Sequence, residues 1–286
     1  MTQGATTGTL SFVVVPQWQG SSSSRALRLV DGALAIAGDL PAQRTTTVDV
    51  PAEAGDALGT AVERLSAIQM ITARHAEALT SVDGIPITIG GDCGVGLAAT
   101  ARSIADGDTA VVWLDAHADL NTPESSPSGA FHGMVLRTLL GDGPASLVPE
   151  VVLPPGRLIL AGTRSLDPAE EEAIERLGIV MIPPPDDDGA GWPAAVADAV
   201  AATGASRVHL HIDVDVHDPS EFDAVAFPEP FGVSAATVLA TVRAILHRAR
   251  LAGAAITEFG PASADDVSGD LAVILRIIGA LAAGAR

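Results

Sequence analysis

The chain has 286 residues, of which 48% are hydrophobic, enough for one large α/β domain or two small ones. A formal net charge of −19 without any basic cluster excludes a typical nucleic-acid-binding protein and weakly favours cationic substrates. The single cysteine excludes an intrachain disulfide framework, and the lack of a signal-like start or a bilayer-length apolar run predicts a cytoplasmic protein without a membrane partner.

Two kinds of apolar stretch alternate along the chain. Short runs such as 110–114 are typical of buried strands, whereas 59–79 carries apolar residues at helical spacing. This alternation predicts a three-layer α/β/α fold with a mostly parallel sheet. No repeat or linker divides the chain, so we expect a single domain over residues 1–286. The predicted strands are 10–15, a short edge strand at Val48, 85–89, 110–114, 158–161, 179–182, 207–212 and 254–258, and the predicted helices are 25–36, 59–79, 94–105, 131–140, one beginning at Pro168, 192–202, 234–251 and 264–283.

Three features outside this pattern carry predictions of their own. Residues 16–24, which end in four consecutive serines, are more typical of a flexible surface segment than of the edge of a binding site. His75 lies on the apolar stripe of the helix 59–79, which favours a histidine at the edge of the core. Residues 183–189, rich in proline and aspartate, are typical of a solvated turn.

Three potential metal ligands directly follow the strand 110–114. Asp115, His117 and Asp119 occupy every second position, and alternating residues of an extended segment project to one side. Two carboxylates and an imidazole form a donor set that suits Mn, Fe, Co or Zn. A polar loop with a capping aspartate and a surface histidine would give the same triplet, so the triplet alone leaves both interpretations open.

Two further strand ends carry similar residues. Asp213 and Asp215 follow the strand 207–212, and the sequence GGDC at 90–93 follows the strand 85–89. In an open α/β sheet, the carboxyl ends of the strands meet in the ligand-binding crevice. Isolated buried acids are costly, and a shared metal centre removes that cost. The three strand ends therefore favour a metal site.

The order of these motifs resembles that of the ureohydrolases, the family of arginase, agmatinase and their relatives. The chain has GGDC at 90–93, DAHADLNTP at 115–123, SG at 128–129, HG at 132–133, DVDVHDP at 213–219 and a late Glu258. The combination of DAHxD with DxDxxDP in this order is highly specific. The resemblance extends from about Pro16 to the C-terminal helix and implies an arginase-like fold.

The resemblance also implies a centre of two Mn²⁺ ions. Cys93 departs from the pattern, because most relatives have histidine at this position and a thiol must lose its proton to ligate well. Three interpretations are open: Cys93 is a thiolate ligand of an altered or weak first site, Cys93 is not a ligand and one metal binds, or the site has decayed. The ligand positions that the resemblance implies are Cys93, Asp115, His117, Asp119, Asp213 and Asp215.

Three catalytic positions follow from the resemblance. Asp119 would hydrogen-bond the attacking hydroxide, His132 would shuttle protons, and Glu258 would grip the guanidinium group. Without the resemblance, His132 is equally a surface histidine at a helix start, and Glu258 an acid at a strand end. The matching SG and HG motifs favour the functional interpretation of His132, and the apolar run before Glu258 favours that of Glu258.

The loop after the DAHAD motif resembles the arginase form rather than the agmatinase form. This form implies an α-amino acid substrate rather than a simple amine. The residues that would hold the α-carboxylate are Asn121, Ser126 and Ser128, and those that would bind the α-amino group are Asp167 and Glu170.

The reacting end departs from the family pattern at Cys93, at Phe227 and after Glu258, where Phe-Gly-Pro replaces the usual Asn-Pro. These differences, beside a conventional recognition end, predict an amidinohydrolase for L-arginine or an Nω-modified arginine such as Nω-hydroxy-L-arginine. Its products would be ornithine and urea or a substituted urea. The alternatives are an agmatinase or formimidoyl-type hydrolase and a non-catalytic metal-binding relative. The resemblance also implies a homo-oligomer, either a trimer or a hexamer.

Overall fold

A parallel eight-stranded sheet forms the centre of the protein in the computed structural model, which describes residues 8–186, 189–263 and 267–285. The strands are β1 (Leu10–Val15), β2 (Thr45–Thr47), β3 (Ile85–Gly90), β4 (Thr109–Leu114), β5 (Leu158–Ala161), β6 (Val180–Ile182), β7 (Arg207–Asp213) and β8 (Arg250–Thr257). Their order across the sheet is β2-β1-β3-β8-β7-β4-β5-β6. Each neighbouring pair is parallel.

Helices cover both faces of this sheet. They are α1 (Arg28–Gly38), α2 (Leu65–Ser81), α3 (Gly96–Ile104), α4 (Val135–Leu139), α5 (Pro168–Leu177), α6 (Trp192–Ala202), α7 (Ala235–Arg248) and α8 (Ser268–Gly284). Apolar residues of α1, α6, α7 and α8 pack on one face, and those of α2 to α5 pack on the other. The predicted α/β/α architecture is confirmed. Within the described ranges, no helix has the length and apolar character needed to cross a membrane.

The central strand β4 is buried on both faces. Val112 and Leu114 pack toward one helical layer, and Val111 and Trp113 pack toward the other. Burial on both sides explains why the strand is a continuous apolar run instead of an alternating one. Polar residues begin only at its carboxyl end, with Asp115.

Two predicted helices are shorter than expected on the α2 side of the sheet. The helix predicted from residue 59 begins at Leu65, because Leu58 and Arg64 have left-handed backbone conformations, with φ of 51° and 55°, that interrupt a helix. The helix predicted over 131–140 is a 3-10 turn at Phe131–Met134 followed by α4.

The C-terminal boundaries also differ from the predictions. The helix predicted to reach residue 251 ends at Arg248, and residues 250–253 belong to β8. The start of this strand was not predicted, because the alanine and glycine in it give no periodic signal. The last helix begins at Ser268 rather than residue 264, and residues 264–266 lie outside the described residues. Two positions of the predicted turn 183–189, residues 187 and 188, also lie outside them.

The prediction for His75 is confirmed. The side chain is buried, and its Nε2 lies 3.0 Å from Thr88 Oγ1 on β3. Burial lowers the pKa of His75 to about 3. The ring is therefore a neutral part of the core at pH 7.

Candidate active site

Potential ligands gather where four neighbouring strands end. β3, β8, β7 and β4 are adjacent in the sheet. Each side chain in the set of potential ligands that end or follow these strands is buried except that of His117, which is 31% exposed. The convergence expected from the sequence is therefore present. The residues that end or follow these strands are Cys93 after β3, Glu258 after β8, Asp213 and Asp215 at β7, and Asp115, His117 and Asp119 after β4.

Three groups of ligand atoms are close enough to hold cations, and two of them consist entirely of residues from this set. Within each group, one ligand atom of each residue lies within 4.8 Å of the others. Asp119, predicted to be a ligand, belongs to none of these groups, and its backbone is left-handed with φ of 52°. Glu258, predicted to bind substrate, belongs to the first group. The first group is Cys93, Asp213 and Glu258, and the second is Asp115, His117 and Asp215.

Backbone amides orient the carboxylates of the second group. Asp115 Oδ1 accepts a hydrogen bond from His117 N at 2.6 Å, and Asp215 Oδ1 accepts one from Ala116 N at 3.0 Å. Asp115 Oδ2 accepts from the indole Nε1 of Trp113 at 2.9 Å. His117 Nδ1 lies 3.0 Å from Asp215 Oδ2. The chain after β4 therefore directs these groups at one another, as the alternation in the sequence predicts.

The Cys93 thiol lies inside the cluster of carboxylates. Its Sγ donates to Asp213 Oδ2 at 2.9 Å and lies 3.5 Å from Thr257 Oγ1. Its backbone amide donates to Glu258 Oε1 at 3.1 Å. Burial, and next the charge of Asp213, raises the pKa of the thiol well above its usual value. A thiolate at this position therefore requires a cation beside it.

The cluster concentrates negative charge away from water. Burial and neighbouring acids, Asp215 for Asp213 and Asp115 for Asp119, raise the pKa of both groups well above the usual range. Asp119 Oδ2 and Glu258 Oε2 are buried without a hydrogen-bond partner among the described residues. Buried acids of this kind are costly without a compensating cation. Carboxylate, imidazole and thiolate donors ligate first-row divalent metals, so the residues present fit such a centre.

Residues 16–24 border the site, and the prediction of a free surface segment is wrong. The buried carboxylate of Asp92 accepts hydrogen bonds from Gln17 Nε2 at 2.8 Å and from Gly20 N at 2.9 Å. The carbonyl oxygen of Gly20 accepts from His132 N at 3.0 Å. Composition indicated flexibility, but a carboxylate distant in the sequence holds the loop in place.

His132 lies between the cluster and the protein surface. Its Nδ1 is 3.8 Å from Glu258 Oε1, and its Nε2 is 3.2 Å from the hydroxyl of the exposed Ser22. The centre of its ring is 5.3 Å from that of Phe227. Burial, and next the charge of His117, lowers the pKa of His132 to about 4. The ring is therefore neutral at pH 7, with a carboxylate on one side and a hydroxyl on the other.

The predicted recognition residues form a hydrogen-bonded network beside the cluster. Asn121 Nδ2 donates to Asp167 Oδ2 at 2.8 Å. The two carboxylate oxygens of Glu170 accept from Leu120 N at 2.8 Å and from Asp167 N at 2.9 Å. Glu170 thus joins the start of α5 to the loop after β4, and it acts on Asp167 as a capping residue.

The serines of the same loop have unused donor capacity toward a ligand. Ser126 Oγ accepts from Gly129 N at 3.1 Å, and Ser128 Oγ accepts from Ala130 N at 3.2 Å. Ser126 is half-buried and Ser128 is exposed. Because each hydroxyl accepts a bond from the backbone, its own proton can point outward.

Arg164, which follows β5, was not predicted to take part in the site. Its guanidinium donates to the carbonyl oxygens of Glu229 at 2.7 Å and Asp215 at 2.9 Å. The Glu229 carboxylate is 3.8 Å from His117 Nε2. Arg164 therefore fastens the loop that carries Glu229 and Phe227 to the ligand cluster. Its position just after a strand is the signal that could have identified it.

His211 was also missed, because it stands within an apolar strand. It is fully buried on β7, and its ring stacks on Trp113 with 3.4 Å between ring centres and 3° between planes. Burial lowers the pKa of His211 well below its usual value, so the ring is neutral. With Cys93 and Asp115, it forms a third group of ligand atoms that lie within 4.8 Å of one another.

Known proteins share both the sequence pattern and the fold. An arginase from Staphylococcus aureus (strain MRSA252) is 37% identical over 142 residues, or 48% of this chain and 47% of the relative, so the match spans about half the length of that protein. The arginase structure from Bacillus subtilis has a TM-score of 0.81 and 25% identity, covering 96% of this chain and 98% of that chain. Arginase from Entamoeba histolytica, solved in complex with L-ornithine, has a TM-score of 0.80 and 25% identity over 96% of this chain and 97% of that chain. The sequence model of the arginase family matches residues 17–279, and the chain belongs to that family.

Proposed function

We propose that the protein is a manganese-dependent amidinohydrolase for L-arginine or an Nω-modified arginine such as Nω-hydroxy-L-arginine. The observation that carries this proposal is a buried ligand cluster adjacent to a polar loop of the arginase form. Membership of the arginase family supports the reaction class. The Entamoeba histolytica arginase was solved with L-ornithine, the α-amino acid that hydrolysis of arginine would release.

The metal centre belongs to the same proposal. The cluster would hold divalent ions, which when bound would supply Lewis-acid activation of a water molecule. The thiol of Cys93 has to ligate as a thiolate, which makes it the donor most sensitive to pH. The residues proposed to hold two Mn²⁺ ions are Cys93, Asp115, His117, Asp119, Asp213 and Asp215.

The side chains around the reacting atoms divide the proton handling. In hydrolysis the water oxygen bonds to the guanidino carbon, the bond from that carbon to the chain nitrogen breaks, and the nitrogen takes up a proton that derives from the water and departs as an amine. The unpaired Oδ2 of Asp119 accepts a proton from the attacking water, and the unpaired Oε2 of Glu258 accepts an N–H of the guanidinium. His132 moves a proton between this region and Ser22 at the surface, through nitrogens 3.8 Å from Glu258 and 3.2 Å from Ser22.

The amino acid end is bound by the polar loop. Ser126 and Ser128 donate their hydroxyl protons to the α-carboxylate, together with the amide of Asn121. Asp167 accepts from the α-ammonium group. Glu170 holds Asp167 in place through its backbone amide at 2.9 Å, so it is a positioning residue in this proposal.

The test is a comparison of substrates beside a metal count. Protein purified with excess Mn²⁺ is assayed for urea or hydroxyurea release from L-arginine and Nω-hydroxy-L-arginine, with agmatine and formiminoglutamate as alternatives. Turnover of either arginine, with two ions per chain, supports the proposal. Turnover of agmatine or formiminoglutamate alone replaces the proposal with an agmatinase or formimidoyl-type hydrolase. Bound metal without turnover of any substrate replaces it with a non-catalytic metal-binding protein.

Three broader predictions belong with this proposal. We infer a single domain over residues 1–286, a cytoplasmic location and a homo-oligomer, either a trimer or a hexamer. Family membership is compatible with an oligomer, and light scattering of the purified protein measures its mass directly. A monomer at micromolar concentration would contradict the predicted assembly.

A further inference from the structure

His211 lies on β7 close to the proposed ligands. It precedes Asp213 by two residues, so both side chains project from the same face of the sheet. One ring nitrogen of His211, the sulfur of Cys93 and one carboxylate oxygen of Asp115 lie within 4.8 Å of one another. Ligand bonds of about 2.0–2.3 Å separate two atoms on one ion by up to about 4.5 Å, so small movements bring these atoms onto a shared metal. We propose that His211 supplies the imidazole ligand of the metal position beside Cys93, an inference that rests on the proposed metal dependence.

The protein fixes the orientation of the His211 ring. The ring stacks on Trp113 at 3.4 Å, and the indole of Trp113 also donates to Asp115. A Cβ at Gly96 would lie 2.8 Å from His211 Nδ1, so a glycine at position 96 leaves the space that the ring occupies. The side chain is fully buried. A ring held this way presents its nitrogens with little freedom, as an efficient ligand requires.

Hydrogen bonding connects His211 to the thiol. The hydroxyl of Thr257 lies 3.2 Å from His211 Nε2 and 3.5 Å from Cys93 Sγ. His211 Nδ1 has no partner among the described residues, but the same is true of His209 Nε2 on the same strand. An unpaired nitrogen is therefore not sufficient to identify a ligand. What separates the two histidines is that His211 belongs to a ligand group and His209 belongs to none of those found among the described residues.

The assignment gives each metal position one imidazole. His117 serves the group that contains Asp215, and His211 serves the position beside Cys93. The chain would thus supply from β7, which is separated from β3 by β8 in the sheet, the imidazole that the family pattern places at position 93. Sulfur and nitrogen donors together favour Co²⁺ and Zn²⁺ more strongly than an oxygen-rich set does.

Cobalt binding tests this assignment independently of turnover. Metal-free protein is titrated with Co²⁺ while the thiolate-to-cobalt charge-transfer absorption is followed, and bound ions are counted after equilibrium dialysis. We expect His211→Ser to lower the affinity for the Co²⁺ ion that gives the sulfur band by about 100-fold. The matched control, His209→Ser, removes another buried imidazole from β7 and should bind cobalt as the wild type does. The double variant Cys93→His/His211→Ser should regain the affinity without a sulfur band.

The outcomes separate this inference from the proposed function. If His211→Ser keeps the wild-type affinity and the sulfur band, His211 is not a ligand, and metal dependence stands. If the wild type binds no Co²⁺ or Mn²⁺, the proposed function fails and this inference fails with it. If His211→Ser does not fold, as judged by circular dichroism, His117→Ala provides the second test. Pulsed electron paramagnetic resonance of Mn²⁺ in His117→Ala should then show imidazole nitrogen coupling, and a signal without it overturns the assignment.

Discussion

The two ends of the candidate site are built in opposite ways. In the polar loop that contains Asn121, the side chains bond to one another and to backbone amides, as in the contact of 2.8 Å between Asn121 and Asp167. In the ligand cluster, Asp119 Oδ2 and Glu258 Oε2 are buried without a partner in the described part of the chain. The side chains of the loop satisfy one another's hydrogen bonds without a ligand, whereas the cluster needs a cation to balance its charge. Substitutions in the loop should therefore change selectivity, and substitutions in the cluster should change metal binding and rate.

Asp213→Asn should produce the largest loss and would test the cluster directly. It removes one charge from the first ligand group while its Oδ1 can still accept from Asp215 N, now at 2.8 Å. We expect kcat/KM to fall by more than the roughly 100-fold that follows loss of a partner outside the ligands. Without metal, the variant should be at least as stable as the wild type, because an amide costs less to bury at this position than a carboxylate whose ionised form is disfavoured by burial and by Asp215.

Metal counting and urea denaturation in the presence of a chelator measure these two effects. The matched control is Asp198→Asn, which changes an aspartate on α6 whose side chain is 65% exposed and paired with Arg248. It should leave both the metal content and the rate unchanged. Full metal content and activity in Asp213→Asn would show that the cluster is not the metal site.

Much of this cluster could be predicted from the sequence because local patterns determine it. The placement of Asp115, His117 and Asp213 follows from two buried strands that each end in polar residues, together with the rule that parallel strands end at one edge. The strand β4 was located to within one residue for the same reason, since its apolar run has clear ends. Such features depend on neighbours in the sequence.

The features that were missed depend on contacts between distant segments. The loop 16–24 was predicted to be free, but it is held by Asp92, more than seventy residues away. His211 reads as part of a strand, and only the adjacent β4 and the turn after β3 reveal its relation to Trp113 and Cys93. The start of β8 was missed because small residues carry no periodic signal. Composition and period do not encode which segments meet.

Glu258→Gln should give the second-largest effect and sharpens the comparison within the cluster. Glutamine can still accept from Cys93 N, now at 3.1 Å, but it offers no charge to a guanidinium. Loss of one member of a buried charge pair costs about 2–5 kcal/mol, which corresponds to a decrease in kcat/KM of roughly 30-fold to more than 1000-fold. The measurement is steady-state kinetics with the metal content determined in parallel.

Glu229→Gln is the matched control for Glu258→Gln. Its carboxylate lies 3.8 Å from His117 Nε2 but is 34% exposed, so the change should be several times smaller. Equal effects of both substitutions would mean that the charge of the region matters and that Glu258 has no specific contact with substrate.

Asn121→Ala tests the opposite end and should have a smaller, selective effect. It removes a hydrogen bond of 2.8 Å to Asp167 and an amide proposed to contact the α-carboxylate. We expect the ratio of kcat/KM for L-arginine to that for agmatine to fall about 10-fold, which corresponds to about 1.4 kcal/mol. The metal content should stay at the wild-type value. If both substrates lose activity equally, the loop shapes the site without reading the amino acid end, and the proposed difference between the two ends is wrong.

His75→Gln should have the smallest effect and extends the comparison to a buried titratable group outside both ends. The pKa of His75 is about 3 in the folded protein and 6.5 in the ordinary state, so between these values the unfolded chain binds the proton that the folded chain excludes. The free energy of unfolding should therefore fall as the pH drops below 6.5. Above pH 6.5, His75 should make no contribution to the pH dependence of stability. Between pH 7 and pH 5, the wild type should lose about 2 kcal/mol more than His75→Gln, whose side chain can still bond to Thr88. Urea denaturation at the two pH values measures this difference. The contribution of metal binding to stability is the same in both proteins, because His75 belongs to no ligand group found in the described residues. The exposed His247→Gln is the control and should follow the wild type; an equal pH dependence in all three proteins would mean that His75 is protonated without loss of the fold.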